Sequence, residues 1–155
     1  MYTEAVNFVH ILATTVWLGG AIMLKMVIEP SLKKIDPGQA GKLMGLIAPR
    51  FSGIAWTCIL LLIITGLIKT PAGMLADTTS DTGIILGLKH LLILGVIVVG
   101  ILIIAVPVRR MRRLAPAPGT APSGDFRKAQ KLLNRLSMTS TILGVLIVGL
   151  ASFLW

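Results

Sequence analysis

The apolar positions of this chain fall into four long runs, approximately residues 4–28, 52–69, 84–106 and 136–155, separated by polar or basic stretches. About 20 residues at about 1.5 Å each cross the roughly 30 Å of a bilayer's hydrocarbon, so each run predicts one membrane-spanning helix. The expected fold class is all-α: an integral membrane four-helix bundle forming a single domain, 1–155, with both termini on the outer side and basic inner loops at 29–51 and 107–135.

Local signals punctuate these helices. Thr3 is placed to cap the first, with Glu4 meeting its positive N-terminal dipole. Glu29-Pro30 should end it, because proline cannot continue the helical hydrogen bonding. Asp36-Pro37 reads as an N-cap followed by a first-turn proline. Ala40, Leu43, Met44 and Ile47 then share a face, which predicts a short amphipathic helix in the inner interface before a second span that follows Arg50-Phe51. Residues 70–83 read as a polar outer connection. Asp81 or Thr82 is expected to cap the third helix and Pro107 to close it. Residues 115–124, rich in proline and glycine, read as a mobile linker. The last helix should begin at Asp125, with two basic turns before it enters lipid. Tyr2 and Trp155 are expected as aromatic anchors at the outer boundary. No internal repeat stands out. The first run has neither a basic leader nor a small-x-small cleavage site, so it is read as a retained span and not a signal peptide.

Composition agrees with a membrane protein: 55% of the 155 residues are hydrophobic and 14% charged. The net charge of +9 would suit nucleic acid, but its distribution argues against that partner. Lys25, Lys33, Lys34, Lys42 and Arg50 surround the first connection. Arg109, Arg110, Arg112, Arg113, Arg127, Lys128, Lys131 and Arg135 surround the third, and only Lys69 and Lys89 lie elsewhere. One side of the membrane thus collects almost all the cations, as expected for cytoplasmic loops that meet anionic lipid headgroups. The expected setting is a prokaryotic plasma membrane. Cys58, the single cysteine, has no partner for a disulfide or a zinc motif.

The candidate chemistry lies in the two histidines, since an ionisable residue inside a span is costly and marks a functional site by default. His10 is roughly 9 Å into the first span and His90 lies at a similar depth in the third, which runs in the same direction. Two imidazoles at matched depth could serve as axial ligands of a b-type haem. The competing reading is a hydrogen bond from histidine to a neighbouring hydroxyl, for which Thr14 and Thr65 are available. Trp17 shares the face of His10 and either packs in the core or walls a porphyrin, and Gly19-Gly20 allow a close neighbour. Lys89 either snorkels to the outer surface or pairs with a buried anion such as a haem propionate. Met23 and Met26, one turn apart, offer thioethers suited to Cu(I) and also serve as core filler. Paired carboxylates, nucleophile–base pairs and phosphate-binding glycine loops are missing from the sequence, so hydrolytic catalysis has no visible machinery.

Several stretches resemble the CopD (copper resistance D) family of four-helix membrane domains, a group similar in turn to HemJ-type protoporphyrinogen oxidases. They are His10-Ile11-Leu12-Ala13-Thr14-Thr15-Val16-Trp17-Leu18-Gly19-Gly20, Arg50-Phe51-Ser52-Gly53-Ile54-Ala55, Thr65-Gly66-Leu67, and Leu86-Gly87-Leu88-Lys89-His90-Leu91-Leu92 with Arg109-Arg110. The resemblance implies that His10, Trp17, Arg50 and Lys89 occupy characteristic positions; His90 is less clearly part of the pattern. The family name implies copper, and the HemJ relatives imply haem.

The expected function is a membrane redox protein with haem b held between His10 and His90 in the outer half of the bundle. It would exchange electrons with a quinone, a small oxidant or a redox partner protein. Thr14, Trp17 and Lys89 would line the cofactor, with metal ligation by His10 and His90. The alternatives are copper transport through His10, Met23 and Met26, a HemJ-like oxidoreductase with Lys89 steering substrate carboxylates, and a purely structural subunit. Gly95 and Gly100 could support helix contacts and a homodimer, although their spacing is not small-x-x-x-small.

Overall fold

The computed structural model describes residues 2–70, 80–116 and 120–153. Among them there is no strand, and the expected all-α class with four membrane-length helices is borne out: α1 (Thr3–Leu32), α2 (Pro37–Lys69), α3 (Asp81–Arg113) and α4 (Gly124–Ala151). The chain divides into two compact units, Met1–Thr78 and Thr79–Trp155. In the first, α1 packs antiparallel on α2; in the second, α3 packs on α4. Most of the expected outer connection, the centre of the expected linker at 117–119, Trp155 and the Tyr2 side chain lie outside the described residues.

Each helix is longer than the apolar run that predicts it, and in α1, α2 and α3 the extension passes through a proline. Pro30 does not end α1. The helix instead widens into a π turn at Leu24–Ile28, where the Glu29 amide reaches back to the Leu24 carbonyl, and continues to Leu32. Pro107 likewise sits inside a π turn, Ile104–Val108, and α3 runs on through Arg113. A proline ring clashes with the carbonyl one turn back in an α-helix. An extra residue in the turn relieves that clash and keeps the remaining backbone groups bonded, as a span in lipid demands. Pro49 also lies within a helix, so the expected interfacial helix and second span are one continuous α2.

Caps follow the same local logic. Asp36 accepts from the Gly38 and Gln39 amides at 2.9 and 3.0 Å, as expected. Ser80, not Asp81 or Thr82, caps α3 by accepting from Gly83 N at 3.1 Å, which leaves Asp81 in the first turn beside the positive dipole end. Ser123 caps α4 through Phe126 N. Thr3 is already inside a helix that runs from Tyr2, so it is not the cap of α1.

One face of α1 is turned to α2. Ala13 and Trp17 on it are buried, whereas Phe8, Ile11 and Leu12 are exposed and suited to lipid. Towards its far end Gly20 lets the Phe51 ring approach: a Cβ there would stand 2.6 Å from Phe51 Cε2. Gly20→Val should therefore displace the ring and cost about 1–3 kcal/mol, as overpacking does. In a double-mutant cycle with Phe51→Ala, thermal unfolding in detergent should show the two changes to be non-additive. Additive losses would separate the glycine from the ring.

The first helix of each unit carries a histidine fourteen residues before the start of a π turn, His10 before Leu24 and His90 before Ile104.

Candidate functional site

His10 lies where α1 and α2 meet. Gly66 has no side chain beneath the ring, and a Cβ there would stand 3.9 Å from His10 Cε1. The Nδ1 atom of His10 is 2.6 Å from Thr65 Oγ1. The single hydroxyl hydrogen of Thr65 is committed to its own helix, donated to the Leu61 carbonyl at 2.6 Å. Thr65 Oγ1 must therefore accept from His10 Nδ1–H, which places the lone pair of a neutral imidazole on Nε2. Thr65 is 5% exposed, so this bond is sheltered. Of the two hydroxyls that the sequence offers, Thr65 takes the ring; Thr14 donates instead to the His10 carbonyl at 2.9 Å.

One turn towards the open end of the hairpin, Lys69 Nζ donates to Asn7 Oδ1 at 2.7 Å. Asn7 precedes His10 by three residues and Lys69 follows Thr65 by four, so the two cross-helix bonds stack along one seam. Sequence reasoning passed over this second bond. The helical spacing of Thr65 and Lys69 was its only signal, and nothing in the sequence says which face of α2 meets α1. Trp17, two turns from His10 on the same seam, is 8% exposed and is packed rather than turned to lipid.

The second hairpin treats its histidine differently. His90 is half-buried, and its Nδ1 donates to the Leu86 carbonyl one turn back on α3 at 2.7 Å. Its Nδ1, like that of His10, is therefore turned to an acceptor, and Nε2 is the other ring nitrogen. Lys89 is half-buried and, as its neighbour in sequence, lies about 100° away around the helix. At the basic end of α1, Lys25 and Glu29 form an ion pair of 2.6 Å across the π turn, with Met23 and Met26 exposed beside them. Arg50 is exposed on α2. Among the described residues no group of three or more His, Cys, Asp or Glu side chains gathers to hold a metal ion.

No curated protein matches the chain. No solved structure matches it either. A family model, copper resistance protein D, matches residues 45–154. That stretch takes in Arg50, Thr65, Lys89, His90 and Arg109-Arg110 and leaves the His10–Gly20 segment outside it. With well over half of its length matched, and with four helices long and apolar enough to cross a membrane, the chain belongs to the copper resistance protein D family.

Proposed function

We propose that this protein handles copper in the membrane, with His10 Nε2 as its principal ligand. The observation that carries the reading is the Nδ1–H bond to Thr65. Metal-ligating histidines donate their other ring N–H to a fixed acceptor, which sets tautomer and orientation, and this ring is held in that way. Imidazole suits copper, and a metal in transit needs fewer ligands at each stop than a closed resident site. Met23 and Met26 lie towards the basic end of the same helix and offer softer thioether donors for Cu(I). The order of readings reverses the expectation from sequence, because the family carries copper in its name and does not carry haem.

Haem b is the second reading, favoured by one observation: His90 shares the Nδ1-donating state of His10. Each unit thus carries an imidazole of the kind that ligates haem iron. Haem would supply one-electron transfer with a quinone or a redox partner. A visible spectrum of the detergent-purified protein, oxidised and then dithionite-reduced, beside its copper content, decides between the two. We expect stoichiometric copper after incubation with Cu(I) and no haem bands. A sharp six-coordinate b-haem spectrum without copper would overturn the proposal.

The basic ends of both hairpins face the cytoplasm, in line with the positive-inside rule, and put the termini and His10 nearer the outer side. In a prokaryotic plasma membrane, Lys131→Cys should be labelled by an impermeant maleimide only after the cells are opened. Cys58, which is buried, provides the background. Labelling in intact cells would reverse the orientation.

A further inference from the structure

We infer that the notch between the end of α3 and the start of α4 seats the anionic headgroup of a membrane phospholipid. Pro107 on α3 and Ala129 on α4 are each buried, where the π turn of α3 packs on α4. Beyond it the helices part around a cleft of about 420 Å³ lined by Arg110, Arg113, Leu114, Asp125 and Lys128. Arg110 and Arg113 are one turn apart on α3, and Lys128 reaches in from α4. The single acid is partnered, Asp125 Oδ1 accepting from Lys128 Nζ at 3.2 Å, so the notch keeps an excess of positive charge.

Guanidinium groups suit this ligand, since each can present two parallel N–H donors to a phosphate. What favours a lipid over a free anion is the continuation of the site. A second hollow of about 250 Å³ shares Arg110 and Arg113 and runs back along α3 to Ala105 and Val106, in the apolar stretch of the span. A phosphate held by the two arginines would thus have its acyl chains laid against helix that is already in hydrocarbon. Basic pockets between helices at the cytoplasmic boundary bind anionic headgroups in this way. The sequence predicts only a diffuse attraction of the basic loops to lipid; the cleft gives that attraction one address.

The test uses the full chain, delipidated in detergent and titrated with short-chain phosphatidylglycerol while native mass spectrometry counts bound lipid. Phosphatidylglycerol should be retained at concentrations where phosphatidylcholine is not. Arg110→Gln with Arg113→Gln should weaken that binding about tenfold or more. Arg127→Gln with Lys131→Gln, which removes equal charge from exposed positions outside the notch, should leave it within about twofold. Lys128→Gln provides a second, single-site test if the double arginine variant melts early. Equal binding of phosphatidylcholine, equal losses in the two double variants, or displacement of the lipid by equimolar inorganic phosphate would each overturn the assignment.

Discussion

His10→Ala is expected to reduce copper retained by the purified protein to the background of a mock preparation, and His90→Ala to leave most of it. The asymmetry follows from how the two rings are held. His10 is fixed across two helices, by a hydroxyl whose own hydrogen is locked into α2, so its Nε2 lone pair has one direction in the seam. Among the described residues, His90 is tethered to its own helix. Neither change should unfold the protein, since a cross-helix hydrogen bond in a membrane averages about 0.6 kcal/mol. Copper by mass spectrometry of dialysed protein, beside thermal unfolding of the same samples, reads both effects. Retention of full copper by His10→Ala would end the assignment; equal loss in both variants would move it to a shared site.

Thr65→Val should lower copper affinity by about 10–100-fold, the range typical of losing the group that orients a metal-bound histidine. Valine matches threonine in shape, so the helices should keep their contact. The His10 N–H loses its acceptor, and the ring becomes free to change tautomer and present the wrong nitrogen. Thr65→Ser, which keeps the hydroxyl, should retain affinity within a few fold. Competition with a Cu(I) chelator would measure all three proteins. Equal affinities in the valine and wild-type proteins would show that Thr65 only packs.

The four helices could be read from the sequence because lipid imposes one rule over long stretches: a span needs about 20 apolar residues whatever their order. The Asp36 cap was legible for a similar reason, as it depends on only four consecutive residues. His10 stood out as an ionisable group in an apolar run, and Thr65 was one of two partners on offer. What the sequence concealed depends on geometry beyond a few neighbours. Pro30 and Pro107 are helix breakers by local rules, yet a membrane makes broken backbone hydrogen bonds so costly that the chain widens its helix instead. The Asn7–Lys69 bond joins residues far apart in sequence, on a helix whose apolar residues point all round and so give no face to read. Ser80 is followed by two further residues able to cap a helix, Asp81 and Thr82, and local sequence does not choose among the three.

The π turns carry a consequence for how these helices present their side chains. A π turn holds one residue more than an α turn, so everything beyond it is rotated by roughly 100° from where an unbroken helix would place it. A helical wheel drawn through α1 from His10 to Leu32 is true on one side of Leu24–Ile28 and turned on the other. Deleting one residue there would restore a plain α-helix and leave the Lys33-Lys34 end on its present bearing relative to the imidazole, as it would Arg112-Arg113 relative to His90. Each long helix of this pair is therefore two short wheels joined end to end, and its extra residue shifts the numbering of one against the other by a single position.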